Sequence, residues 1–230
     1  MFILVYPVFF VFLEVSIAQY ATHIDISFNS SDIKLNSSSQ SFFKYQPNLK
    51  LKNVSIESAF LSGIWLMYED MNYNQGNPGG KVVYGWGYNH SIHYNIDLSK
   101  ISSMRYSGTE SGLQFDTLNF YKEPGFIGNE EMYYQDEAML TRPFFGKSII
   151  LTGCKPWTLF SETHFHGEHI CIYPRSRSSN NCNPGFFEAP RDFGGFVDKV
   201  RSIRLGCFSG INFKGLELAI NTTRYFNYYT

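Results

Sequence analysis

Along this chain apolar residues recur at every second position over short stretches. No 3.6-residue periodicity runs long enough for a substantial helix. His23-Ile24-Asp25-Ile26-Ser27-Phe28 alternates strictly, and Leu49-Lys50-Leu51-Lys52 does so over a shorter span. Alternation puts the apolar side chains of an extended backbone on one face, so both segments are predicted strands with a buried side. Short apolar or aromatic runs predict further strands at Ile64–Tyr68, Lys81–Tyr84, Ser102–Tyr106, Leu118–Tyr121, Glu131–Tyr134, Ser148–Leu151, Thr158–Phe160, His169–Tyr173 and Val200–Leu205. Clusters of Gly, Pro and Asn separate them. Many short strands with regular turn signals predict an all-β sandwich or barrel.

The N-terminus reads differently. Phe2 to Leu13 is apolar apart from Pro7, and Ser16-Ile17-Ala18 places small residues before a cut at Ala18–Gln19. This is the layout of a secretory signal peptide over residues 1–18. A membrane span needs about 20 apolar residues, more than this run holds. Asn-x-Ser/Thr sequons at Asn29, Asn36, Asn53, Asn89 and Asn221 are candidate glycan acceptors and point to the same compartment.

Removing the leader leaves about 210 residues, enough for one large or two small domains with real cores. The formal net charge of −1 offers no basic field for nucleic acid and no polybasic patch for a membrane surface. The 22 Phe and 16 Tyr suit pleated, half-buried strand surfaces. The four cysteines, Cys154, Cys171, Cys182 and Cys207, all lie in the C-terminal third. An even number in an oxidising compartment predicts two disulfides, with three connectivities open. Their spacings match no common zinc finger.

A repeat emerges from the aromatics and glycines. Tyr121-x4-Phe126-x-Gly128 and Phe160-x4-Phe165-x-Gly167 share one spacing, and Tyr68-x4-Tyr73 reaches Gly76 with one extra residue. The copies recur roughly every 40–50 residues, so each is one supersecondary unit. In each, the first aromatic ends a strand, the chain folds over, the second aromatic packs back, and the glycine takes a positive φ. A serine followed by apolar residues closes each copy: Ser102-Ser103-Met104-Arg105-Tyr106, Ser148-Ile149-Ile150-Leu151 and Ser202-Ile203-Arg204-Leu205. This is the last strand of a four-strand Greek key.

With these motifs the sequence resembles the βγ-crystallin family, with fair specificity over 63–207 and by inference over 24–62. The resemblance implies two Greek-key sandwich domains. The first, 19–108, is degenerate; a linker covers 109–116, the second domain 117–207, and a tail 208–230. It also implies calcium as the usual ligand. The family's calcium loop aligns with Leu98–Ser103, where Ser102 and Ser103 remain without the leading acids, and with Val197–Ser202, where Asp198 and Ser202 remain but Arg201 replaces a ligand. Weak calcium binding is the most these residues imply. A Greek key makes its first and fourth strands antiparallel neighbours, which pairs Cys154 with Cys207 and leaves Cys171 for Cys182. Phe208-x4-Phe213-x-Gly215 fits the corner spacing too, as a tail hairpin or as coincidence.

His164-Phe165-His166-Gly167-Glu168-His169 resembles a zinc motif of metallo-β-lactamase-fold hydrolases, but it coincides with a Greek-key corner and no histidine follows it. There is no G-x-S-x-G nucleophile elbow. Neighbouring carboxylates such as Glu130 and Glu131 point to opposite faces of a strand. The reading is therefore a secreted, non-catalytic structural or binding protein. Its partner would be an extracellular protein or glycan, with no nucleic acid and no membrane span. A secreted lectin-like or toxin-like defence effector on the same scaffold is the alternative.

Overall fold

The computed structural model describes residues 22–30, 38–49, 54–93, 101–142, 145–177, 182–196, 198–216, 218 and 223–226. The leader and the sequons at Asn36, Asn53 and Asn221 lie outside them. Asn29 and Asn89 fall within strands.

The N-terminal half is one sheet. Its strands are β1 (His23–Ser30), β2 (Ser38–Phe42), β3 (Val54–Tyr68), β4 (Val82–His93) and β5 (Ser103–Ser107). β3 is long enough to serve two motifs. Up to Ser62 it pairs with β1; beyond a register shift at Gly63 it pairs with β5, while β4 runs antiparallel to it along most of its length. The closing strand of the first motif and the opening strand of the second are thus continuous, which is why this domain is degenerate. The alternation read at Ile24 and Ile26 is real: both are fully buried, in a core with Leu61, Trp65, Met67 and Met104.

The C-terminal half keeps the Greek-key exchange of strands. β6 (Thr117–Glu123), β7 (Ile127–Tyr133) and β8 (Ser148–Thr152) belong to one motif; β9 (Trp157–Phe160), β10 (His169–Tyr173), β13 (Gly185–Phe187) and β14 (Ser202–Leu205) belong to the next. Between β10 and β13 lies a small hairpin, β11 (Ser176–Arg177) and β12 (Cys182–Asn183). β13 crosses over to complete the sheet β13-β8-β6-β7. In return the earlier motif sends Glu137 to bridge Ile203 on β14. The core between the two sheets holds Phe120, Leu151, Trp157, Ile172, Phe187 and Phe193.

The tail is not a corner hairpin. β15 (Asn212–Lys214) runs parallel to β10, and β16 (Thr223–Phe226) pairs antiparallel with β4 of the other domain. The corner-like spacing from Phe208 to Gly215 is coincidence.

The three corners fold alike. The aromatic pairs Tyr68–Tyr73, Tyr121–Phe126 and Phe160–Phe165 meet edge to face, with centroids 5.6, 5.5 and 5.8 Å apart. Gly76, Gly128 and Gly167 have φ of 91°, 80° and 80°. The second aromatic is itself left-handed, at 61°, 63° and 64°, a conformation that side chains other than glycine enter only at a cost. The closing serine holds it there. Ser103, Ser148 and Ser202 each accept the backbone N–H of the second aromatic at 2.9–3.0 Å and donate to the carbonyl of Asp70, Glu123 or Glu162. Ser148→Ala leaves a buried N–H and a carbonyl unpaired, so urea unfolding should show a loss of about 1–3 kcal/mol. A loss below experimental error would mean that the serine does not hold the corner.

Candidate functional site

Between the domains lies a third apolar layer. Ile64, Leu66 and Trp86 from the N-terminal sheet meet Phe126, Ile150 and Phe186 from the C-terminal one. Two buried polar clusters are set into it. In the first, Arg105 on β5 is 2% exposed. Its Nε donates to the Tyr68 hydroxyl at 2.9 Å, and Nη2 donates to the Phe126 carbonyl across the interface at 2.9 Å. The guanidinium lies 4.5–5.2 Å from the ring centroids of Tyr73, Tyr121 and Tyr68. Glu130 on β7 supplies the opposite charge, 3.9 Å from Nε. It accepts hydrogen bonds from Tyr121 at 2.7 Å and Tyr45 at 3.0 Å. Burial opposes the charge of Arg105, and Tyr68 and Glu130 more than offset that, so its pKa rises. Burial also pushes Tyr68 and Tyr121 up.

Glu188, which follows β13, anchors the second cluster. It is 4% exposed and accepts hydrogen bonds from the Tyr84 hydroxyl at 2.5 Å and from Arg224 on β16. Burial first, then the Glu188 charge, holds the Tyr84 phenol well above its usual range. Neither cluster was read from the sequence. The available signal was a lone cation, Arg105, inside an apolar closing strand.

The histidines do not converge. His169 stacks on Phe160, with centroids 5.3 Å apart, and its Nδ1 lies 2.9 Å from the Gly167 carbonyl. His164 sits in the left-handed corner at φ 58°. Among the described residues no group of three or more His, Cys, Asp or Glu is placed to hold a metal. Two of the candidate calcium residues have their hydroxyls engaged elsewhere. Ser103 and Ser202 brace their corners. The backbone N–H of Ser102 donates to Tyr68, and its carbonyl accepts from Leu49. Asp198 is exposed beside Lys199, which pairs with Glu168 at 3.1 Å. An open groove of about 720 Å³ runs past this corner, lined by Glu168, His169, Phe196, Lys199, Ile211 and Phe213.

The cysteine pairing corrects the expectation. The bonds are Cys154–Cys182 and Cys171–Cys207, not Cys154–Cys207 and Cys171–Cys182. β14 does run antiparallel to β9 up to Leu205 opposite Trp157. The chain then turns at Gly206, φ 104°, and crosses over β9. The Phe208 N–H reaches Thr158 Oγ1 at 3.0 Å, and the Ser209 N–H reaches Cys171 Sγ at 3.3 Å. That crossing brings Cys207 to β10, with Cα atoms 5.4 Å apart, and leaves Cys154 for Cys182 at 5.1 Å.

No protein-family model matches the sequence, and no curated protein matches it. Solved structures do. Geodin, a βγ-crystallin from Geodia cydonium, superposes with a TM-score of 0.59 at 18% identity, covering 79% of this chain and 98% of its own. A βγ-crystallin from Ciona intestinalis gives 0.32 at 18% identity, covering 39% of this chain and 98% of its own. The fifth crystallin domain of the non-lens protein Absent in melanoma 1 gives 0.32 at 16% identity, covering 41% and 90%. The exchanged strands, the serine-braced aromatic corners and the match to geodin together establish that this chain has the two-domain βγ-crystallin fold.

Proposed function

We propose that the protein is a secreted, non-catalytic structural or binding module. The filled layer between the domains carries this reading. The buried ionisable groups there are taken up by protein partners: Arg105 and Glu130 face each other and tyrosine hydroxyls, and Glu188 faces Tyr84 and Arg224. Secretion rests on the leader, the sequons and the two disulfides. Calcium would bind at most weakly, because Ser103 and Ser202 already serve the corners.

The groove beside Phe196 and Lys199 favours a second reading, a lectin-like effector. Aromatic faces with a charged rim suit a sugar ring. One preparation tests both readings. The chain expressed in secreting cells should appear in the medium starting at Gln19, and it is then applied to a glycan array. Specific retention that Lys199→Ala abolishes supports the lectin reading; silence supports the structural one. Retention of the chain inside the cell with the leader uncut overturns secretion.

A further inference from the structure

We propose that the outer edge of β4, together with Glu188, is an acceptor site for an extended arginine-bearing peptide, and that the protein's own C-terminal strand fills it in cis. This goes beyond the reading above and does not involve the groove.

An uncovered sheet edge presents unpaired N–H and C=O groups, which an extended chain can satisfy by adding a strand. β16 does this, pairing Thr223 to Phe226 with Gly85 to Val82. The side chains add a specific reading. Arg224 lies directly opposite Tyr84, so both project from the same face of the sheet. On that face waits Glu188, contributed by the other domain. The guanidinium forks onto it, Nε to Oε1 at 2.5 Å and Nη2 to Oε2 at 3.0 Å, while Tyr84 donates to Oε1. A bidentate fork fixes orientation as well as energy. A slip of one residue would turn Arg224 to the opposite face, so the carboxylate sets the register of the added strand. A second anchor precedes it. Leu218 is 8% exposed within the interdomain layer, and its carbonyl accepts the Trp86 indole N–H at 2.8 Å.

These features belong to a peptide ligand more than to a core strand. The arginine side chain remains 43% exposed, whereas the carboxylate it meets is 6% exposed. The receptor side is built into the two domains, and the tail supplies an apolar anchor, a cation and a backbone. Another extended chain carrying an apolar residue and an arginine at the same spacing would satisfy the same groups, once the tail gives way.

The test uses the full-length chain. In R224A, hydrogen exchange of the Val82 and Tyr84 amides, which face β16 while those of Val83 and Gly85 face β3, should quicken at least about tenfold over wild type. A fluorescent synthetic peptide spanning the wild-type Leu216–Phe226 sequence should bind R224A at least about tenfold more tightly than wild type, whose own tail competes. Adding E188Q to R224A should weaken that binding at least about tenfold. R224K keeps the charge but not the fork and should show the same changes to a smaller degree; it replaces R224A if the alanine variant loses its circular dichroism. Unchanged exchange in the variant overturns the proposal. So does an exposed edge that fails to bind the peptide, and so does binding that E188Q leaves intact.

Discussion

Arg105→Ala should cost the folded protein about 3–5 kcal/mol in guanidinium or urea unfolding, the range for removing one partner of a buried ion pair. Both ends of the pair sit inside the molecule, Arg105 at 2% and Glu130 at 8% side-chain exposure. Among the described residues, truncation leaves the carboxylate with the hydroxyls of Tyr121 and Tyr45 as its hydrogen-bond partners. It also deprives the Phe126 carbonyl of one donor and removes the cation between three tyrosine rings. A contrast isolates the cause. The double variant Arg105→Met, Glu130→Met replaces two charges by apolar side chains and should be more stable than the single alanine variant. A single variant that loses less than about 1 kcal/mol would show that solvent reaches Glu130 freely.

Alkali should be the protein's weak side. Tyr68, Tyr84 and Tyr121 are fully buried, and burial, followed by the neighbouring glutamates at Tyr84 and Tyr121, holds their phenols well above the ordinary value near 10. Raised folded-state values favour the protonated, folded form. Below pH 10 both folded and unfolded chains keep these protons, and the stability is fully present. Above pH 10 the unfolded chain releases them and the folded chain does not, so unfolding gains ground as pH rises. Three such groups remove on the order of 4 kcal/mol per pH unit. Absorbance at the tyrosinate band should therefore climb in two stages, the second coinciding with loss of the near-ultraviolet circular dichroism. A single reversible titration of every tyrosine around pH 10 with the fold intact would refute this.

The corners were the legible part of the fold. An aromatic, a second aromatic, a left-handed glycine and a serine are each demanded by local backbone geometry, so their spacing survives in the sequence wherever the corner does. Strand faces were less legible. β5, β6, β8 and β9 contain runs buried at successive positions, because their sheets are covered on both sides. Alternation disappears in such strands. The closing strands make the same point at a single position. Arg105, Ile150 and Arg204 occupy equivalent places, two after the serine. Ile150 and Arg105 face the layer between the domains, whereas Arg204 is half exposed and pairs with Asp136. Which copy lies inside is decided by how the domains dock, and no local pattern records that. The cysteine pairing was missed for a related reason: the turn at Gly206 carries the chain past the strand that simple Greek-key adjacency would have given it as neighbour.

Both covalent bridges fall between Cys154 and Cys207. Stress therefore meets two unequal halves, a reinforced C-terminal lobe and an N-terminal lobe without a cross-link of its own. β16 bypasses part of that inequality: it follows Cys207 in the chain and lies on β4 of the other half. Thr223–Phe226 thus ties the uncrosslinked half to the reinforced one through backbone hydrogen bonds and the Arg224–Glu188 fork, contacts that reductant leaves untouched.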